Sequence, residues 1–162
     1  MAGRMTHTTG ATPPDLRWLN AAIDLSRTSP SSRNRYAVGA LVVGDDVLLA
    51  TGYTGETEPH AHAEEVALAK LAGRRRLDLS RATIYSSLEP CTARKSRPLT
   101  CTGAILAAGV RRVVFAMREP PLFADCRGVQ VLSQGGVEVV EVRDLAHLVS
   151  EINNQILLRS LA

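Results

Sequence analysis

The sequence predicts an α/β domain of three layers, α/β/α, around a mixed and roughly five-stranded central sheet. Two apolar strand segments flanking a Gly-Asp-Asp turn open the pattern, and extended and helical segments then alternate towards the C-terminus. A hairpin followed by that alternation implies a sheet of mixed sense between two helical layers. At 162 residues and 45% hydrophobic, the chain has the apolar material of one packed domain, and no second domain is expected.

The elements follow in order. Leu16, Leu19, Ala22, Ile23 and Ser26 recur at helical spacing and mark the first helix. Residues 37–43 and 47–50 flank Gly44-Asp45-Asp46 and read as a hairpin. Pro59 bars helix just upstream of residues 64–72, a run of strong helix formers that ends at Gly73. After a strand at 82–86, a helix opens at Cys101 and is closed by Gly109 as its C-terminal cap. Beyond it lie a strand at 112–116, a short helix at 129–133, a strand at 137–142 and a last helix at 145–158. Residues 1–13, mostly small and polar, are expected to be a flexible leader, leaving 14–162 as the single domain. That leader has no apolar core, so no cleavable signal is expected, and the longest apolar stretch, 37–43, is far too short to span a bilayer. A cytoplasmic protein with no membrane partner is expected; three cysteines, two of them in the metal-ligand pattern below, suit a reducing compartment.

The chemistry is concentrated in His62-Ala63-Glu64, Pro90-Cys91 and Cys101. A catalytic zinc takes three protein ligands and leaves the fourth position to water; the imidazole of His62 and the thiols of Cys91 and Cys101 supply such a set. Zn2+ is therefore the expected cofactor. Glu64 is the carboxylate left over, suited to carry a proton from water to a ring nitrogen and then to departing ammonia. Residues two apart lie about 200° apart around a regular helix, so His62 and Glu64 can serve one site only where a helix begins. The positive ends of helices starting near His62 and Cys101 favour thiolate over thiol. Singly, each piece is weak, because His-x-Glu arises often by chance and a lone cysteine is commonly a small buried hydrophobe. Together, and in this order, they match the H-x-E then P-C pattern of the zinc deaminases.

Longer stretches extend the match: Tyr36-Ala37-Val38-Gly39-Ala40-Leu41-Val42-Val43, Glu58-Pro59-His60-Ala61-His62-Ala63-Glu64, Ser86-Ser87-Leu88-Glu89-Pro90-Cys91 and Ala107-Ala108-Gly109-Val110-Arg111-Arg112-Val113-Val114. On these, residues 16–158 resemble the cytidine and deoxycytidylate deaminase superfamily, and within it the deaminase domain of bacterial riboflavin biosynthesis. The resemblance implies a cytidine-deaminase-like fold and a hydrolytic deamination that replaces an amino group with an oxo group. It implies as substrate the diaminopyrimidine ribosyl phosphate of that pathway, a structural role for Glu89, and assembly as a homodimer or homotetramer.

The chain departs from the family in ways that bear on the substrate. Nine residues, 92–100, separate the cysteines where most of the superfamily has two. Closing a longer loop costs only slowly more entropy, and a long insert is shared with the riboflavin-type enzymes, against the tRNA-adenosine and deoxycytidylate branches. Its Arg94, Lys95 and Arg97 read either as contacts to a substrate phosphate or as a solvated charged loop. The riboflavin-type enzymes place a pocket Asn and Pro just before their Val-Gly, and Asn34 supplies that base contact only with a one-residue shift. They also continue into a reductase domain, which is not expected here because the sequence ends at residue 162. His60 reads as a pocket-wall or substrate contact or as a plain surface histidine. Ser87 is a candidate substrate contact at the carboxyl end of a strand, where open α/β sheets form ligand crevices. Glu65 is expected to point away from the metal into solvent, and Cys126 to be a free, unreactive thiol.

Net charge is only +3 and aromatic residues are few, without the basic stripe and stacking side chains of a polynucleotide binder. A small heterocyclic substrate is expected rather than nucleic acid. Guanine, cytosine, cytidine, deoxycytidylate and tRNA adenosine are the alternatives within the same chemistry. A non-catalytic zinc- or ligand-binding module is the alternative outside it, and the presence of Glu64 argues against that module.

Overall fold

The computed structural model describes residues 10–94, 98–121 and 126–159. Five strands, β1 (Gly39–Gly44), β2 (Val47–Tyr53), β3 (Ala82–Leu88), β4 (Arg112–Met117) and β5 (Glu138–Glu141), form one sheet in the order β2-β1-β3-β4-β5. β1 pairs antiparallel with β2 and β3, whereas β3, β4 and β5 pair parallel, so the sheet is mixed as expected. Asp45 and Asp46 both take positive φ (49° and 58°) in the turn from β1 to β2, as a two-residue hairpin of type I′ requires. Asp46 also accepts from Trp18 Nε1 at 2.7 Å and from Arg17 at 3.1 Å, which ties that turn to the first helix.

The helices are α1 (Pro13–Ser26), α2 (Ala63–Leu71), α3 (Cys101–Ala108), α4 (Gly128–Gln134), α5 (Ala146–Ile152) and α6 (Asn154–Arg159). Alternate residues of a strand point to opposite faces of the sheet, and the core divides accordingly. Leu41, Tyr85 and Val114 pack with Leu19 and Ile23 of α1 and Val149 of α5. Their strand neighbours Val42, Ile84 and Val113 pack with Leu71 of α2, Ile105 of α3 and Leu132 of α4. Those two clusters, one on each face, make the three layers. At Gly52 a Cβ would collide with the backbone of Ala63 and Ala67, so the glycine lets the first turn of α2 lie directly on β2. Gly109, at φ 78°, ends α3 in the left-handed conformation. Among the described residues no helix is long and apolar enough to cross a membrane.

Several boundaries differ from expectation: β1 begins at Gly39 rather than 37, and β2 runs on to Tyr53 past the expected 47–50. The leader expected over 1–13 runs too far, because Thr12 caps α1 and Pro13 is its first residue. Thr12 Oγ1 accepts from Asp15 N at 3.3 Å while Asp15 Oδ2 accepts from Thr12 N at 2.9 Å, a reciprocal capping box. The last helix, expected to be continuous over 145–158, is broken at Asn153, between α5 and α6. Asn153 is buried; its Oδ1 accepts from Ala37 N at 2.7 Å and its Nδ2 donates to Ala37 O at 3.2 Å. The bend thus satisfies backbone groups at the entry to β1 that would otherwise lack partners.

Asp15 is the electrostatic centre of the α1 face. Its buried carboxylate takes Arg112 in a fork, Nη1 to Oδ1 at 2.7 Å and Nη2 to Oδ2 at 2.8 Å, and accepts from the Tyr85 hydroxyl at 2.7 Å. Burial alone would raise its pKa, but Arg112, the Thr12 N–H and Tyr85 outweigh burial and hold the carboxyl well below its usual range. A depressed carboxyl contributes stability that is present above its ordinary pKa and lost as pH falls towards the native value. Asp15→Asn is therefore expected to cost about 3 kcal/mol near neutral pH, and the difference should shrink once pH drops below about 4. Urea titrations across a pH series check this; a difference independent of pH would assign the loss to packing.

Candidate active site and metal centre

The site lies where β3 ends and α2 and α3 begin. Ahead of α2, Ala61 N–H donates to Glu58 O and Gly55 N–H to Ala61 O, both at 3.0 Å, and the chain emerges with His62 extended (φ −91°, ψ 150°) as the N-cap of α2. With His62 outside the helix and Glu64 in its first turn, the angular conflict of a mid-helix His-x-Glu does not arise. Cys91 follows the end of β3 by three residues, and Cys101 is the first residue of α3, whose N-cap Thr100 accepts from Gly103 N at 3.1 Å. The first turn of α3 grips Cys91. Cys101 N–H donates to Cys91 Sγ at 3.4 Å, and the N–H and Oγ1 of Thr102 donate to Cys91 O at 3.2 Å and 3.1 Å.

These elements bring His62 Nδ1 to 3.3 Å from Cys101 Sγ and 3.5 Å from Cys91 Sγ, with all three ligand atoms within 4.8 Å of one another. Tetrahedral zinc with Zn–S of about 2.3 Å and Zn–N of about 2.0 Å places its ligand atoms roughly 3.5 Å apart. Donor set and spacing therefore both fit zinc. Among the described residues no other group of three His, Cys, Asp or Glu side chains is so disposed.

The local electrostatics suit a cation. Cys91 is pushed well down, chiefly by the Cys101 thiol and then by His62 and the Cys101 N–H, whereas Cys101 is pushed up by Cys91 and by burial. Binding a cation requires the thiols to lose their protons. Burial alone would lower the pKa of His62, but Cys91 and Glu64 outweigh it and raise the value. Glu64 is only 4% exposed, and burial pushes its pKa up against the opposing Ser86 hydroxyl, which lies 2.7 Å from Oε1.

The side chains proposed to surround this centre divide sharply. Ser87 is fully buried and its Oγ accepts from Gly39 N at 3.1 Å, while its neighbour Ser86 meets Glu64. Strand parity explains the difference: Ser86 lies on the face of Ile84, under α2, and Ser87 on the face of Tyr85, under α1. Glu65 does not point into solvent; its Oε2 accepts from His62 N at 3.2 Å and from Arg94 at 2.9 Å. The Arg94 side chain is 4% exposed, so it is no part of a solvated loop, and its second nitrogen donates to His60 O at 2.8 Å. His60 itself is exposed, with its ring outside the ligand cluster. Asn34 is exposed too, its Oδ1 accepting from Ser32 Oγ at 2.8 Å within its own turn. Lys95 and Arg97 lie outside the described residues. Glu89 is buried and accepts from Glu119 N at 3.2 Å and Val129 N at 3.1 Å, a structural role, while Cys126 donates to Pro90 O at 3.3 Å.

Glu119 was not marked by any motif. It follows β4 as Cys91 follows β3, and burial together with the Cys91 and Glu64 charges pushes its pKa up to about 7. The position of a carboxylate just past the carboxyl end of an inner parallel strand is the sequence signal that would have found it.

Residues 13–117 match the family described as the cytidine and deoxycytidylate deaminase zinc-binding region. The diaminohydroxyphosphoribosylamino-pyrimidine deaminase of Schizosaccharomyces pombe is 34% identical over 124 residues, which are 76% of this chain and 30% of that protein. Among solved structures, the diaminohydroxyphosphoribosylaminopyrimidine deaminase/5-amino-6-(5-phosphoribosylamino)uracil reductase of Thermotoga maritima has a TM-score of 0.75 at 30% identity, covering 89% of this chain and 40% of that one. The Rib2 deaminase of Aspergillus oryzae in complex with DARIPP has a TM-score of 0.74 at 25% identity, over 86% of this chain and 89% of that one. The chain spans 30%, 34% and 26% of the length of three riboflavin-pathway relatives, and 82% of a probable cytosine deaminase of Schizosaccharomyces pombe to which it is 28% identical.

Proposed function

This chain belongs to the cytidine and deoxycytidylate deaminase family, and on that premise we propose that it is a zinc-dependent hydrolytic deaminase of the diaminopyrimidine ribosyl phosphate of riboflavin biosynthesis. The reaction exchanges a ring C–NH2 for C=O, consuming water and releasing ammonia. His62, Cys91 and Cys101 would hold the zinc, which when bound would supply a Lewis acid able to bring the pKa of water to about 7. Glu64 is the proton carrier. With Oε1 held by Ser86, its Oε2 takes one proton from the attacking water and gives it to the ring nitrogen beside the reacting carbon, then takes the second from the hydroxyl so formed on that carbon and gives it to the departing amine as C=O forms and the C–N bond breaks. Burial raises the pKa of Glu64 above its ordinary value, which makes it a stronger proton acceptor than an exposed carboxylate, as general acid–base catalysis requires. Glu119, at the adjoining strand end, offers the ring's amino and N–H groups a second carboxyl.

The observation that carries this reading is the meeting of His62 Nδ1, Cys91 Sγ and Cys101 Sγ beside a buried Glu64. The choice of substrate is supported by the relatives, several of which are named for that deamination. Ammonia release by zinc-replete protein tests it, with the ribosyl phosphate, its dephosphorylated riboside, guanine, cytosine, cytidine and deoxycytidylate run side by side. Preferred turnover of the ribosyl phosphate is expected. Turnover of a base or nucleoside with none of the ribosyl phosphate would retain the chemistry and overturn the substrate.

A further inference from the structure

We infer that Arg94 and Glu65 form a latch that fixes the two parts of the zinc site to each other, making Arg94 a positioning residue rather than a phosphate ligand. This rests on the zinc-deaminase reading of the site. Cys91 and Cys101 are already held together by the first turn of α3, but His62 arrives on a different segment, at the start of α2. The site therefore needs something to set the separation between these segments.

Arg94, three residues past Cys91, crosses that gap. Its Nη1 donates to Glu65 Oε2 at 2.9 Å and its Nη2 to His60 O at 2.8 Å, so the guanidinium is anchored on both sides of His62. The same Glu65 oxygen accepts from His62 N–H at 3.2 Å, which carries the contact onto the backbone of the ligand itself. Side-chain exposures of 4% for Arg94 and 23% for Glu65 keep the pair largely out of water, where an ion pair is screened less than at the surface. The planar fork of arginine makes both directed bonds at once, as a lysine ammonium does not. With Nη1 and Nη2 both engaged inside the protein and the side chain so little exposed, Arg94 has little access to a substrate phosphate. Recognition of a phosphate accordingly falls to other groups.

Zinc release to a chromogenic chelator tests the latch, using the zinc-loaded full chain and the variants Arg94→Gln, Arg94→Lys, Glu65→Gln and the Arg94→Gln/Glu65→Gln double. Support from outside the ligand set is worth about 10- to 100-fold in metal affinity, so each single variant is expected to release zinc about tenfold faster or more. The double should be no faster than the singles, because both residues act through one contact. Cobalt(II)-loaded singles should show displaced absorption bands, reporting altered ligand geometry. Per bound zinc, Arg94→Gln should change KM equally for the ribosyl phosphate and its dephosphorylated riboside. Unchanged release in both singles, additive effects in the double, or a KM rise confined to the phosphorylated substrate would overturn the latch. If Arg94→Gln does not fold, Glu65→Gln preserves side-chain volume and carries the same zinc-release prediction. Failure of every substrate would count against the proposed activity and leave zinc release to decide the latch.

Discussion

Glu64→Gln is expected to keep zinc and lose turnover by about a thousandfold or more, the effect of removing a general acid–base group. The substitution preserves shape, and the amide oxygen still accepts from the Ser86 hydroxyl that lies 2.7 Å from Oε1 in the native chain. What disappears is the capacity to take a proton from water and hand it on. Metal content measured beside kcat separates the two roles. Full zinc with near-normal turnover would remove Glu64 from the mechanism, and lost zinc would make it part of the metal site. Folding should not suffer, because the native carboxylate is buried with its pKa pushed up, and a neutral amide there avoids burying charge.

Replacing either thiol should abolish stoichiometric zinc, but the two losses differ in a way that the geometry specifies. Cys101→Ala removes a ligand and leaves its own backbone N–H in place at the start of α3. Cys91→Ala also removes the sulfur that accepts that N–H at 3.4 Å. The first N–H groups of a helix have no partner within it, and leaving one buried without an acceptor costs about 1 kcal/mol or more. Metal-free Cys91→Ala is therefore expected to melt below metal-free Cys101→Ala, and added zinc is expected to stabilise the native protein but neither variant. Thermal melts with and without zinc check both statements. Zinc retained at full occupancy by either variant would contradict the ligand assignment.

The parts of this protein legible in its sequence are those carried by local physics. The hairpin at Gly44-Asp45-Asp46, the proline ahead of α2 and the glycine after α3 are backbone signals, and each reappears at its place in the fold. The candidate ligand set was legible because zinc chemistry constrains residue type and order, and helical geometry required His62 to precede its helix, where the fold has it. Other features depend on tertiary contact. Ser86 and Ser87 are chemically identical neighbours, and only the face buried under α2 decides which one meets Glu64. Glu65, judged solvent-facing by helical angle, is drawn in by Arg94 from a loop far along the chain. The break at Asn153 answers to the backbone of Ala37, which no periodicity within the last helix encodes. The start of α1 is the exception among the corrections: Thr12-Pro13-Pro14-Asp15 carries a local capping signature, and the small, polar residues before it obscured that signature.

That His62, Cys91, Cys101 and Glu64 together support a hydrolytic deamination is tested most directly by turnover of the diaminopyrimidine ribosyl phosphate in isotopically labelled water, with ammonia and product followed together. Zinc-replete protein is expected to release ammonia in step with entry of the label at the new carbonyl, and protein stripped by a chelator to release none until zinc is restored. Ammonia formed without label in the product, or equal turnover by the stripped protein, would contradict it.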